Sequence, residues 1–268
     1  MDLPNVEILD TRVTALQFEA QIDKIMAWGK KRVSRTVCVA NVHMLMESRH
    51  NKKLRTALRN ADIVTPDGMP LAWVMRLLGR KHQDRVAGMD IFRAVCQRCV
   101  ETGVSIYLLG STQDVLDAIE KRLSVEFPSL EVAGIESPPF RPLSEAEDQA
   151  LTQRINDSGA GITFISLGCP KQECWLSAHK GRIESVMIGV GGVFPIYAGH
   201  KKQAPEWIRN SGLEWSHRLW QEPKRLFKRY ATTIPPFVWF AVWQVVAQRT
   251  QESFQSVRVE RQQNVNTL

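Results

Sequence analysis

Thr65-Pro66-Asp67-Gly68 sets a carboxylate in a tight turn, and Arg85-Val86-Ala87-Gly88-Met89-Asp90 follows with a guanidinium and a second carboxylate. The short apolar run before the turn reads as a strand. Pro70, Leu71, Val74, Leu77 and Leu78 after it read as a helix, with the proline in the first turn, where its missing N–H is not needed. Asp67 therefore stands at a strand's carboxyl end, the edge at which open α/β sheets bind ligands. Turn-making and helix capping are the plainer roles, and Asp before Gly performs both routinely. Asn41 and His43 end another strand in the same way. Gly168-Cys169-Pro170-Lys171-Gln172-Glu173 and Gly189-Val190-Gly191-Gly192 end two more, with small residues that let a ligand approach the backbone. The helix expected near Lys171 would offer free N–H groups to an anion. Together these form a nucleotide- or phosphate-binding layout, although the chain has neither a Walker A loop nor a Gly-x-Gly-x-x-Gly fingerprint.

The elements that must position these groups alternate. A strand near 6–9 precedes a Thr14-Ala15-Leu16-Gln17 capping pattern and a helix ending near Gly29. A strand at 36–40 leads into one helix over 44–60, and the Asp67 turn into a helix ending near Gly79. A helix over 90–101 carries Cys96-x-x-Cys99, which reads as two buried thiols since no second pair answers it. Strands at 104–109, 130–135, 161–167 and 185–190 follow, separated by helices that include one reaching Phe127 and one starting at Ser144. This alternation predicts an α/β fold: a mostly parallel Rossmann-like sheet with helices on both faces. We expect an α/β nucleotide- or phosphate-binding domain over 1–199, a helical appendage over 200–250 and a polar, disordered tail over 251–268.

The whole chain has 268 residues, with 35 Lys+Arg against 28 Asp+Glu, and the resulting +7 favours an anionic partner. Five cysteines, an odd number, and a Met-Asp-Leu-Pro start without a basic or apolar leader point to a reducing cytoplasm. Eight Lys/Arg against three Glu lie between positions 201 and 229, interleaved with Trp207, Trp215, Trp220 and Phe227. The charge-free run 231–248 adds Phe237, Trp239, Phe240 and Trp243 but contains Pro235-Pro236, so it is too polar and too broken to span a bilayer. This describes a surface lying on an anionic membrane. A nucleic-acid patch with stacking aromatics and a helical hairpin packed on the core are the competing readings. A nucleotide-dependent oxidoreductase would share the α/β layout but lacks its glycine fingerprint.

Five segments in order resemble the WecG/TagA/CpsF glycosyltransferases: Val39-Ala40-Asn41-Val42-His43-Met44, the Asp67 turn, the Arg85 to Asp90 segment, Leu167-Gly168-Cys169-Pro170-Lys171-Gln172-Glu173, and Ala198-Gly199 through Lys202, Ala204-Pro205, Leu213-Glu214-Trp215 and Arg218-Leu219. The resemblance covers about 30–230. It implies inverting transfer of a hexose from a UDP-sugar to an acceptor sugar on a polyprenyl diphosphate, in bacterial exopolysaccharide or other cell-surface polysaccharide synthesis. Asp67 would be the general base. Donor or substrate contacts would come from Asn41, Arg85, Asp90, Gly110, Gln172, Glu173, Gly191, Arg218, Arg225 and Arg229, while His43 reads equally as a packed histidine. No metal or other cofactor is implied, and the chain contains no Asp-x-Asp. The implied partners are the UDP-sugar, the lipid-linked acceptor, the anionic inner face of the plasma membrane and a second copy of the chain; no nucleic acid is expected. Val39 and Pro195 stand where many relatives have Thr and Asp, which shifts the expected donor from UDP-N-acetylmannosamine towards UDP-glucose.

Overall fold

The computed structural model describes residues 3–265, with side chains through 250. The chain opens with an antiparallel hairpin, β1 (Asn5–Ile8) and β2 (Thr11–Thr14), then α1 (Phe18–Gly29) and β3 (Arg35–Ala40). Two short helices follow, α2 (Val42–His50) and α3 (Lys52–Asn60), before β4 (Ile63–Pro66), α4 (Met69–Leu77) and α5 (Gly88–Thr102). The middle alternates strictly: β5 (Ile106–Gly110), α6 (Gln113–Glu126), β6 (Val132–Glu136), α7 (Glu145–Asp157), β7 (Ile162–Ser166), α8 (Lys171–His179) and β8 (Val186–Gly189). Four helices close the described chain: α9 (Val193–Tyr197), α10 (Glu206–Asn210), α11 (Glu214–Gln221) and α12 (Pro223–Val265).

The α/β fold read from the sequence is the one observed. Six strands form a wholly parallel sheet in the order β4-β3-β8-β7-β5-β6. Its strands are short runs of Val, Ile, Leu and Phe because both faces are covered. Side chains alternate between two cores, as a period of two requires. Val37, Val39, Ile106, Leu108, Ile162, Phe164 and Ile188 meet α1, α5, α6 and α9. Cys38, Ala40, Tyr107, Leu109, Ile165 and Met187 meet α2, α3, α4, α7, α8 and α12. Cys96 and Cys99 are buried in α5, as their helical spacing indicated.

Two local expectations are corrected. Thr14 does not cap α1; it ends β2, and its hydroxyl accepts a hydrogen bond from Val64 N at 3.1 Å, which fastens the hairpin beside β4. The cap position of α1 is Gln17, without a side-chain cap. The single helix expected over 44–60 is two, because the side chain of Asn51 accepts from Leu54 N and starts a new helix there. Beyond Gly199, where a helical appendage is the expectation and a hairpin the competing reading, the chain forms three helices. The last of them continues through Pro235 and Pro236, held by Phe237, Ala241 and Val245, which turn inward at intervals of one helical turn. The backbone stays helical to Val265; of the tail expected over 251–268, the side chains and residues 266–268 lie outside the described residues.

Candidate active site

Every strand end that the sequence singled out lies on one edge of the sheet, since all six strands point the same way. Asn41 follows β3, and its side chain accepts from Met44 N at 3.1 Å, so its amide oxygen caps α2. Asp67 follows the neighbouring β4. Its backbone N–H donates to Ala40 O at 2.8 Å, binding the turn to β3, and Gly68 takes the φ of +105° that turns the chain into α4. The Asp67 side chain is half-buried. Burial and the neighbouring Glu214 push its carboxyl up to about 7, against the opposing pull of Arg218 and Arg85.

These charges form one network that ties the C-terminal helices to the strand edge. Arg85, only 9% exposed, donates to Asp90 at 3.1 Å and to Glu214 of α11 at 3.3 Å. Arg209 of α10 reaches Asp90 at 3.5 Å, and Arg218 pairs with Glu214 one turn away. The structure thus gathers Asp67, Arg85, Asp90 and Arg218, all named from the sequence. Arg85 and Asp90 hold each other and the appendage. Glu214 and Arg209 are the members that sequence reasoning did not assign. The available signal was Glu214 four residues before Arg218, a helical ion-pair spacing.

Beside this network, His43 and Arg229 form a second group. His43 Nδ1 and Arg229 Nε are both buried without a hydrogen-bond partner among the described residues. Burial, then the charge of Arg229, lowers the His43 pKa to about 4, so the ring is neutral at pH 7. Arg225 stands apart, its Nε donating to Glu222 at 3.1 Å.

Gln172 and Glu173 lie beneath the edge. Glu173 is fully buried, accepts from Gln172 at 2.7 Å, and has its pKa raised by that burial. Of the two roles expected of this pair, donor contact and holding the loop, this placement of Glu173 serves the loop. Gly191 is needed where it stands, because its φ is +49° and a Cβ there would come within 3.3 Å of Gln172 Oε1. Gly110 is needed likewise, with φ +101° and a Cβ position 2.5 Å from Ser166 O. Val39, the departure noted above, is buried and packs against Gly88, so the missing hydroxyl falls in the core.

A hydroxyl nucleophile placed beside Asp67 would find a carboxylate able to take its proton. The carboxylate must be ionised to do so. We therefore expect kcat/KM to rise with pH through about 7 and to level off above it. His43 adds no limb there, since it titrates near 4. A pH–rate profile measured from pH 5 to pH 9 checks this; a flat profile would remove Asp67 as the base.

The family model described as Glycosyl transferase WecG/TagA/CpsF family matches residues 6–251. That span includes the whole sheet edge and the appendage helices through most of their described side chains.

Proposed function

Because the chain belongs to the WecG/TagA/CpsF glycosyltransferase family, whose members act in cell-surface polysaccharide synthesis, we propose that it transfers a hexose from a UDP-sugar to a sugar carried on a polyprenyl diphosphate, with inversion. The observation carrying this reading is Asp67: a half-buried carboxyl at the carboxyl edge of β4, raised to about 7 and acted on by the charges of Arg218 and Arg85. In the transfer Asp67 takes the proton of the acceptor hydroxyl as its oxygen bonds to the anomeric carbon. The bond from that carbon to the diphosphate breaks, and UDP leaves with the electron pair. Arg218 and Arg229 would meet the charge that develops on the diphosphate, while Arg225, paired with Glu222, would have to leave that partner to join them. Asn41 and Gly191 border the inner side of the donor, and Gly110 lets the next loop approach it. Residues 1–199 would carry the nucleotide and 200–250 would face the membrane.

Incubation with radiolabelled UDP-glucose or UDP-N-acetylmannosamine and bacterial membranes tests the reaction. Label should enter the solvent-extractable lipid fraction with one donor and not when Asp67 is replaced. Label that stays in the aqueous phase with both would contradict the proposal.

The outer surface of α12 supports the peripheral placement at the inner face of the membrane. Trp239 and Trp243, 70% and 68% exposed, form with Val238, Val242 and Val246 an apolar stripe opposite the inward Phe237, Ala241 and Val245. No helix among the described residues is long and apolar enough to cross a membrane. An apolar face left in water beside the Lys/Arg-rich segment suits the headgroup level of an anionic bilayer. Trp239→Ser with Trp243→Ser should weaken flotation with phosphatidylglycerol vesicles by about tenfold or more, given about 1.5–3 kcal/mol for each large apolar side chain withdrawn from water. Unchanged flotation would mean that another surface makes the contact.

A further inference from the structure

A cavity runs along α4, and its meaning rests on the glycosyltransferase reading. Its volume is about 430 Å³, within the range of roughly 300–1,000 Å³ typical of small-molecule sites. Met69 at the start of α4 and Arg76 further along both line it. Three guanidinium groups, of Arg76, Arg85 and Arg209, share its wall with three carboxylates, of Asp84, Asp90 and Glu206. Their formal charges cancel.

This lining selects by chemistry. Guanidinium groups only donate hydrogen bonds and carboxylates only accept them, whereas a sugar hydroxyl does both. A diphosphate would meet three carboxylates beside the three guanidinium groups, and an apolar group would make hydrogen bonds with neither kind. A neutral polyhydroxyl ring satisfies both kinds of group at once. One donor already lacks a partner: Arg209 Nε is buried without a hydrogen bond among the described residues.

Position says which sugar. The wall comes from α4, the loop after it and α5, which follow the edge strand β4, and from α10 of the appendage. Asn41 and Gly191 follow the inner strands β3 and β8, and the unpartnered His43 and Arg229 belong to that neighbourhood. Arg85 and Asp90 line the cavity and also act on the Asp67 carboxyl. We infer that the cavity holds the sugar of the acceptor, with its attacking hydroxyl directed to Asp67, while the donor diphosphate occupies the inner side.

The test uses the full chain saturated with UDP and a panel of free sugars: glucose, galactose, mannose and their 2-acetamido forms. At least one should give a saturation-transfer NMR signal. The variant Asp84→Ala/Glu206→Ala removes two exposed carboxylates that make no ion pair among the described residues, so the fold should persist. It should bind that sugar about tenfold more weakly or worse, the loss of roughly one charged hydrogen bond, with calorimetric UDP affinity unchanged. Sugar binding equal in variant and wild type, or no bound sugar while UDP binds, would overturn the inference alone. Failure of the wild type to bind UDP would overturn the donor reading and the inference with it.

Discussion

Replacing Asp67 by asparagine will lower turnover by about a hundredfold to ten-thousandfold, the usual contribution of a positioned general base, with UDP binding preserved. Asn keeps the size of the side chain and leaves the backbone bond from residue 67 to Ala40 O in place. The same substitution will raise thermal stability in a defined pH window. Asp67 has its folded-state pKa raised from 3.8 to about 7, so the folded chain favours the neutral acid. Below about pH 4 the group is neutral both folded and unfolded, and the variant and the wild type should melt together. As pH rises towards 7 the unfolded chain ionises first and the wild type loses stability relative to Asn; above about 7 the difference is constant. Melting curves at pH 4 and pH 8 therefore carry an independent signature: a higher Tm for Asp67→Asn at pH 8 only. A catalytic loss without that stability gain would mean that the carboxyl is not held in the raised state.

The second large effect is expected at Arg85. Its guanidinium holds Asp90 at the start of α5 and reaches Glu214 on α11, 129 positions further along the sequence than Arg85 itself. Arg85→Met keeps an apolar stem of similar reach but leaves both carboxylates without this partner, next to Asp67. Hydrogen bonds of charged groups contribute about 1.5–3 kcal/mol each. Asp90 and Glu214 keep some solvent and other arginines, so a net loss of about 2 kcal/mol in the docking of α10 and α11 is expected, near thirtyfold in that equilibrium. Limited proteolysis should then cut between Gly199 and Glu214 well before it cuts the sheet, and turnover should fall as Arg218 loses its fixed place beside Asp67. Removing a carboxylate's cationic neighbour should also raise the acidic limb of the pH–rate profile above about 7. Unchanged cleavage and an unchanged limb would show that Arg85 is dispensable to the appendage.

The strand–turn–helix around Asp67 was legible because each part carries a local signal: a short apolar run, Pro-Asp-Gly, and a first-turn proline. The parallel sheet was legible for a similar reason, in uninterrupted apolar runs such as Val186-Met187-Ile188 separated by helical spacing. Strand order was not, because the contact of β3 with β8 is made between segments about as far apart as the sheet allows. The β1–β2 hairpin was hidden by its turn: Leu9 and Asp10 both take positive φ, where Gly or Asn would have announced it. Thr14 had the residue type of a helix cap, and its use against Val64 N depends on a strand fifty positions on. The prolines of α12 suggested a break that tertiary packing against α2 overrides. At the site, residue types were readable while pairings were not, since Arg85 finds Glu214 only after α11 folds back over the sheet edge.

Calorimetric titration of UDP into the wild-type chain, once with magnesium and once with EDTA, tests the central claim most directly. Saturable binding of equal strength in both is the predicted result, with arginines rather than a metal meeting the diphosphate. Absence of binding, or binding seen only with magnesium, would contradict it.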